Sequence, residues 1–236
     1  KVIRDIADQK NAPFYGTSGT KYTINEEKID GYIFSTNILG KTFDNLEISM
    51  IGEHQIKNAI AALTALVLLW KENSIVLNDK DIYNGFKKAF QKGRFEVISK
   101  DPYIILDGAH NPEGANALKK TIENHFKNKK ILMVVGILRD KDIEGMLDVF
   151  TGITQDFILT EPNNTRKMTA KDLGACLRKR GAKCAECNTP KQAVNLALKE
   201  KKCYDLIIFA GSLYLIGELR GMLINERNNK KSNTIL

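Results

Sequence analysis

Asp107, Gly108 and His110 stand together in Tyr103–Lys120, between an apolar run and the start of a helix. A carboxylate accepts hydrogen bonds from paired hydroxyls, glycine lets backbone approach a ligand, and an imidazole can donate, accept or carry a proton. Tyr103-Ile104-Ile105-Leu106 has the composition of a buried parallel strand. Asn111-Pro112-Glu113 then signals a helix: Asn as N-cap, Pro at the first helical position, an acid in the first turn. Strand, tight turn and helix make half of a βαβ unit, whose ligands sit at the carboxyl ends of strands. A capped βα turn with an incidental Asp and His is the plainer alternative.

Two further positions could do chemistry. Residues 52–70 form the clearest helix pattern, with Ile56, Ala59, Ile60, Leu63 and Val67 on one face. Its first turns carry His54, Gln55 and Asn58, and an Asn amide can both donate and accept, as a purine edge or a ribose requires. Capping plus a solvated edge explains the same residues. Arg94 follows Gly93 where one unit is expected to end and another to begin, and guanidinium suits bidentate phosphate contacts. A lone Arg is more often a surface charge.

The elements that must position these residues follow a changing rhythm. Residues 1–50 alternate strands and turns after an opening helix at Val2–Ala7, with Gly31–Phe34 and Leu46–Met50 as arms of a hairpin. Gly40-Lys41-Thr42 between them is a hairpin turn and not a P-loop. Ser35 occupies the place of the P-loop's first glycine, and a strand follows the threonine instead of a helix. A helix over Asp79–Gln91 closes the first region, with Gly93 as its stop. From Tyr103 the chain alternates strand and helix five times. The strands are expected at Ile131–Val135, Asp156–Thr160, Lys183–Cys187 and Asp205–Ala210 after the first. The helices start at Asp142, Thr169, Thr189 and Gly211-Ser212. This is the rhythm of a doubly wound parallel sheet. Arg227 onward is polar and basic and reads as a frayed tail.

Composition bounds the rest. With 236 residues and 43% hydrophobic residues the chain has material for two modest domains and is not a disordered protein. The net charge of +8 is spread over many lysines with no aromatic-interleaved basic cluster, which fits a solvated surface or an anionic small ligand better than a nucleic acid. The four cysteines make no disulfide framework, and Cys184-x-x-Cys187 lacks a second ligand pair for zinc. No signal peptide or membrane-spanning run is visible, so a cytoplasmic, membrane-free protein is expected. The chain opens on Lys within a helix pattern, so it is expected to be a piece of something longer.

GEHQIKNA, KGRFEVI, ILDGAHNPEG, VVGILRDKD and FAGSLYLIGELR, in this order, resemble the C-terminal half of the dihydrofolate synthase/folylpolyglutamate synthase family, the folate branch of the Mur ligases. The match runs through most of the chain after Ile51 and is loose before it. The resemblance implies residues 1–93 as the end of an ATP-binding central domain and 94–101 as an interdomain linker. Residues 102–226 become a Rossmann-like glutamate ligase domain, and 227–236 a basic tail. It implies an ATP-dependent ligase that joins L-glutamate to dihydropteroate or a reduced folate through an acyl phosphate, acting as a monomer with ATP and Mg²⁺. Asn58 would contact adenine, Arg94 the phosphates and Asp107 the ribose hydroxyls, with the nucleotide between two domains. His110, as a catalytic residue, and Ser212 would hold the incoming glutamate near the acyl phosphate. In that family the P-loop, the Mg²⁺ ligands, a modified lysine and most of the folate pocket belong to an N-terminal half that this sequence does not contain. The chain alone is therefore expected to be inactive. A UDP-muramyl peptide ligase, and a non-catalytic nucleotide- or nucleic-acid-binding module, are the alternatives.

Overall fold

The computed structural model describes residues 2–233, with side chains to Glu226. The chain divides into two units. The first takes in the chain up to Ala89, less Met50–Gly52; the second takes in those three residues and everything from Phe90 onward.

In the first unit α1 (Val2–Gln9) precedes an antiparallel sheet of β1 (Tyr22–Lys28), β2 (Gly31–Ile38) and β3 (Lys41–Ile48), in that order. The hairpin expected around Gly40 exists. Its turn is Leu39-Gly40 and Thr42 already lies in β3, paired with Asn37. α2 (Glu53–Lys71) packs on β2 and α3 (Asp79–Lys88) on β3. The buried face of α2 is Ile56, Ala59, Ile60, Leu63 and Val67, the expected stripe, with Gln55 and Thr64 added. Asn78 caps α3 by accepting from Asp81 N at 2.9 Å. α3 ends at Lys88, so Gly93 is not its stop as the sequence suggested. Gly93 instead takes a left-handed conformation (φ 69°) in the loop beyond.

The second unit is a six-stranded sheet in the order β4-β5-β9-β6-β7-β8. Its strands are β4 (Glu96–Lys100), β5 (Tyr103–Leu106), β6 (Ile131–Val135), β7 (Asp156–Leu159), β8 (Lys183–Glu186) and β9 (Leu206–Ala210). The α/β class and its five parallel strands follow the sequence rhythm. The sheet is mixed, however, because β4 runs antiparallel to β5 at one edge. The segment expected as a linker, 94–101, is thus sheet for most of its length. Its backbone groups pair with β5, and Ile98 is buried in the core.

The central strands β6 and β9 are buried at all five positions, as strands covered on both faces must be. α4 (Pro112–His125), α5 (Ile143–Thr151) and α6 (Ala170–Arg178) pack in succession, while α7 (Pro190–Glu200) packs against α8 (Leu213–Asn233). Helix starts obey local chemistry. Asn111, Asp142, Thr169 and Thr189 each accept a backbone N–H with their side chains, and Pro stands at the first position of α4 and α7. α8 runs on through Arg227 to Asn233, where a frayed tail was expected. No glycine or proline follows Gly221 to stop it. Residues 234–236 of the expected tail lie outside the described residues. Among the described residues no helix is long and apolar enough to cross a membrane.

Candidate ligand site at the carboxyl edge of the sheet

Because β5, β9, β6 and β7 are parallel neighbours, their exits share one edge of the sheet. Asp107 follows β5, Gly211-Ser212 follows β9, Gly136 follows β6 and Thr160 follows β7. The exits are tied together: Gly211 N donates to Ala109 O at 3.0 Å, Gly136 N to Ala210 O at 3.3 Å, and Thr160 N to Val135 O at 2.9 Å.

The backbone here tolerates little more than glycine. A Cβ on Gly136 would stand 2.7 Å from the Thr160 carbonyl, and one on Gly211 (φ 108°) 2.7 Å from the Gly136 carbonyl.

Asp107 organises one end of this edge. Its Oδ1 accepts from Ala109 N at 2.8 Å and its Oδ2 from Phe95 N at 2.9 Å. Each oxygen keeps a lone pair beyond the bond it makes. The residue retains some surface, but its carboxyl is enclosed, and burial raises its pKa from 3.8 to about 6. The two N–H donors and the charges of Arg94 and His110 pull the other way and only partly offset burial. The His110 Nδ1 lies 2.8 Å from the Gly108 carbonyl, which only accepts, so Nδ1 carries a proton and Nε2 is left for other partners.

Arg94 sits at the top of a sharp arch. Gly93 (φ 69°) and Phe95 (φ 45°) flank it, both left-handed. An aromatic residue there is strained and persists only where its surroundings fix it. Phe95 is held by the bond to Asp107 and by burial of its ring, 6.3 Å from that of Phe126. Gly93 is bonded at both ends: its carbonyl accepts from Gly108 N at 2.7 Å and its N–H donates to Glu96 Oε2 at 2.9 Å. Glu96 is 6% exposed and receives Arg220 Nε at 3.0 Å on both oxygens. Sequence reasoning passed over Glu96 and Arg220. They lie far apart in the chain, and only the glutamate's place in an apolar strand hinted at a partner.

The sequence candidates therefore separate. Arg94, Asp107 and His110 come together around the β5 exit, and Ser212 stands on the neighbouring β9 exit. Asn58 belongs to the first unit, on α2, where its amide donates to Gln55 Oε1 at 3.1 Å. Ser212 occupies the N-cap position of α8, and its carbonyl accepts from Ile216 N at 3.0 Å. Its hydroxyl is buried and has no hydrogen-bond partner among the described residues, and the Thr160 hydroxyl is likewise buried and unpartnered. Cys187 is packed in the core while Cys184 is partly exposed, and burial raises both thiol pKa values. No group of three or more His, Cys, Asp or Glu among the described residues is placed to hold a metal ion.

The family model "Mur ligase, glutamate ligase domain" matches residues 93–213, which begins at the Arg94 arch and ends just past Ser212. The chain belongs to the Mur ligase family. The dihydrofolate synthase/folylpolyglutamate synthase of Bacillus subtilis is 30% identical over 224 residues, 94% of this chain and 52% of that protein. Among solved structures, Escherichia coli FolC in complex with DHPP and ADP superposes with a TM-score of 0.80 at 26% identity, covering 95% of this chain and 51% of that one. The folylpolyglutamate synthase of Thermotoga maritima gives 0.75 at 30% identity, with 94% and 51% covered. This Mur ligase chain spans about half the length of the relatives it matches.

Proposed function

We propose that this chain is the glutamate-ligating part of an enzyme that uses ATP to join L-glutamate to dihydropteroate, to folate polyglutamates or to both. The substrate carboxylate would attack the γ-phosphate, giving an acyl phosphate and ADP. The glutamate amine would then add to the acyl carbon, and phosphate would leave as the amide forms. The observation that carries the reading is the Arg94 arch closed onto Asp107 beside His110, at the strand edge where α/β folds bind ligands.

Each group has a task its chemistry suits. Arg94 offers a guanidinium to the nucleotide phosphates and stabilises charge on the transferring phosphoryl group. Asp107 uses its remaining lone pairs on the ribose hydroxyls. His110, through Nε2, accepts from the glutamate ammonium and helps place the amine, while the Ser212 hydroxyl offers a donor to a glutamate carboxylate. Mg²⁺ accompanies ATP in this chemistry. No group of three or more metal-ligating side chains stands together among the described residues, and none of these roles is routed through the ion. The reading places the protein in the cytoplasm, acting as a monomer without nucleic-acid or membrane partners.

ADP titrated into the chain tests the nucleotide part. Binding that weakens by about tenfold or more in Arg94→Ala and Asp107→Ala is expected. Equal affinity in both variants would overturn it. In a full-length enzyme carrying this chain, turnover with dihydropteroate and not with UDP-muramyl substrates is expected; the reverse would move the substrate to the peptidoglycan branch.

A further inference from the structure

The Arg94 arch contains strain that its own residues do not relieve. The strain lies in the left-handed Phe95, while the left-handed Gly93 is unstrained but free to leave that conformation, so both have to be fixed from outside. One anchor, Asp107, already belongs to the proposed site. The other lies away from it. Arg220 donates Nε to both oxygens of Glu96, and Glu96 Oε2 accepts the Gly93 N–H. Ile216, one turn before Arg220 on α8, lies directly under Gly93, where a Cβ would come within 2.6 Å of its Cγ2. One face of α8 thus supports the arch from below with an apolar contact and an ion pair.

We propose that Glu96 and Arg220 are positioning residues: they hold Gly93, and through it the Arg94 guanidinium, in place for a polyphosphate ligand before it arrives. Glu96 is nearly buried, and Arg220 is mostly so. A buried pair of this kind is replaceable by apolar residues at little cost to stability, so stability alone gives no reason to keep it there. The neighbouring connectivity does. The arch's other bonds run from Gly108 N to Gly93 O, from Arg94 N to Gln91 O at 3.2 Å and from Phe95 N to Asp107, and the Gly93 N–H is the donor that Glu96 takes. A preorganised guanidinium loses less entropy on binding than one on a loose loop. This inference rests on the reading of Arg94 as a phosphate contact.

The test uses the 236-residue chain and the paired replacement Glu96→Leu with Arg220→Met, which leaves no buried charge unpaired. Hydrogen exchange without ligand reads the arch: amide exchange at Gly93 and Phe95 is expected to speed up by about tenfold or more, with only a modest fall in the thermal midpoint from the Gly93 N–H that loses its acceptor. ADP affinity, read by NMR titration, is expected to fall by about the factor seen in Arg94→Ala. The triple variant is expected to bind no worse than Arg94→Ala alone, because the pair acts only through Arg94. Unchanged exchange at Gly93, or losses that add to that of Arg94→Ala, would overturn the proposal. An unaltered ADP affinity despite a freed Gly93 amide would also overturn it. If the unmodified chain does not bind ADP, the nucleotide reading fails and the positioning role with it, whereas exchange still reports whether the pair fixes the arch.

Discussion

Phe95 donates its backbone N–H to Oδ2 of Asp107 at 2.9 Å, so a carboxylate at the end of one strand fixes a left-handed aromatic residue at the start of its antiparallel neighbour. The contact explains how Asp107 can be enclosed and still ionise at neutral pH. Its charge is answered by two N–H groups and by Arg94 and His110 nearby.

That balance has a pH signature. Burial raises the folded pKa of Asp107 from 3.8 to about 6, so the folded state binds the proton more tightly than the unfolded chain does. Stability from this group is therefore full below about pH 4 and is lost as pH rises to about 6, by up to about 3 kcal/mol. Urea unfolding across that window is expected to show the unmodified chain losing up to about 3 kcal/mol relative to Asp107→Asn, the other carboxyls titrating alike in both. Parallel curves would mean that Asp107 titrates like an exposed carboxyl.

The glycines at the strand exits should differ in tolerance. Gly211→Ala places a Cβ against the Gly136 carbonyl at a φ of 108°, and neither backbone can move without disturbing β6 or β9. A loss of about 2–4 kcal/mol is expected in denaturant unfolding. Gly108→Ala meets mainly the tip of Leu213, a partly exposed side chain that can rotate aside, so it is expected to cost less.

Much of this edge could be read from the chain, for a physical reason. β5, Asp107, His110 and the cap of α4 are written in consecutive residues, and so is the Thr189-Pro190 start of α7. Local steric and hydrogen-bond rules act over that range. β1 and β4 were not legible. β1 is a polar run exposed along most of its length, so burial imposes no alternation on it. β4 follows the arch and draws its meaning from β5 and from Arg220. The ion pair that holds Glu96 spans 124 positions of sequence, and nothing in local spacing encodes a contact of that reach.

His110 should exist as the Nδ1-protonated tautomer, because Nδ1 faces the Gly108 carbonyl at 2.8 Å. Nitrogen-15 shifts of the neutral ring would show a protonated Nδ1 and a bare Nε2. In a full-length enzyme, His110→Asn keeps a donor near the carbonyl but removes Nε2. A fall in glutamate-dependent turnover of about 100-fold with nucleotide affinity intact is expected. Loss of nucleotide affinity instead would move His110 to the ATP side of the reaction.

The isolated chain is expected to release no phosphate above background from ATP with pteroate or folate and L-glutamate. The sequence offers one fragment of a P-loop, Gly40-Lys41-Thr42, and among the described residues it lies at a hairpin with Thr42 in a strand and not at the start of a helix. A phosphate-release assay with the purified chain decides this, and steady turnover would show that the arch and the β5 exit suffice by themselves.

Ser212 should trade stability against function. An N-cap serine ordinarily accepts a backbone N–H of its own helix, but the Ser212 hydroxyl is buried without a partner among the described residues. Removing an unpaired buried hydroxyl relieves its desolvation cost, so Ser212→Ala is expected to stabilise the chain by about 1 kcal/mol, with no cap to lose. Thr160→Val, which deletes the other unpartnered hydroxyl at nearly constant volume, should gain a similar amount. The two separate on activity. If the Ser212 hydroxyl waits for a glutamate carboxylate, Ser212→Ala in a full-length enzyme raises the KM for glutamate while Thr160→Val leaves it unchanged. A lower thermal midpoint in Ser212→Ala would instead reveal a structural bond for that hydroxyl, and its proposed part in glutamate binding would lose its support.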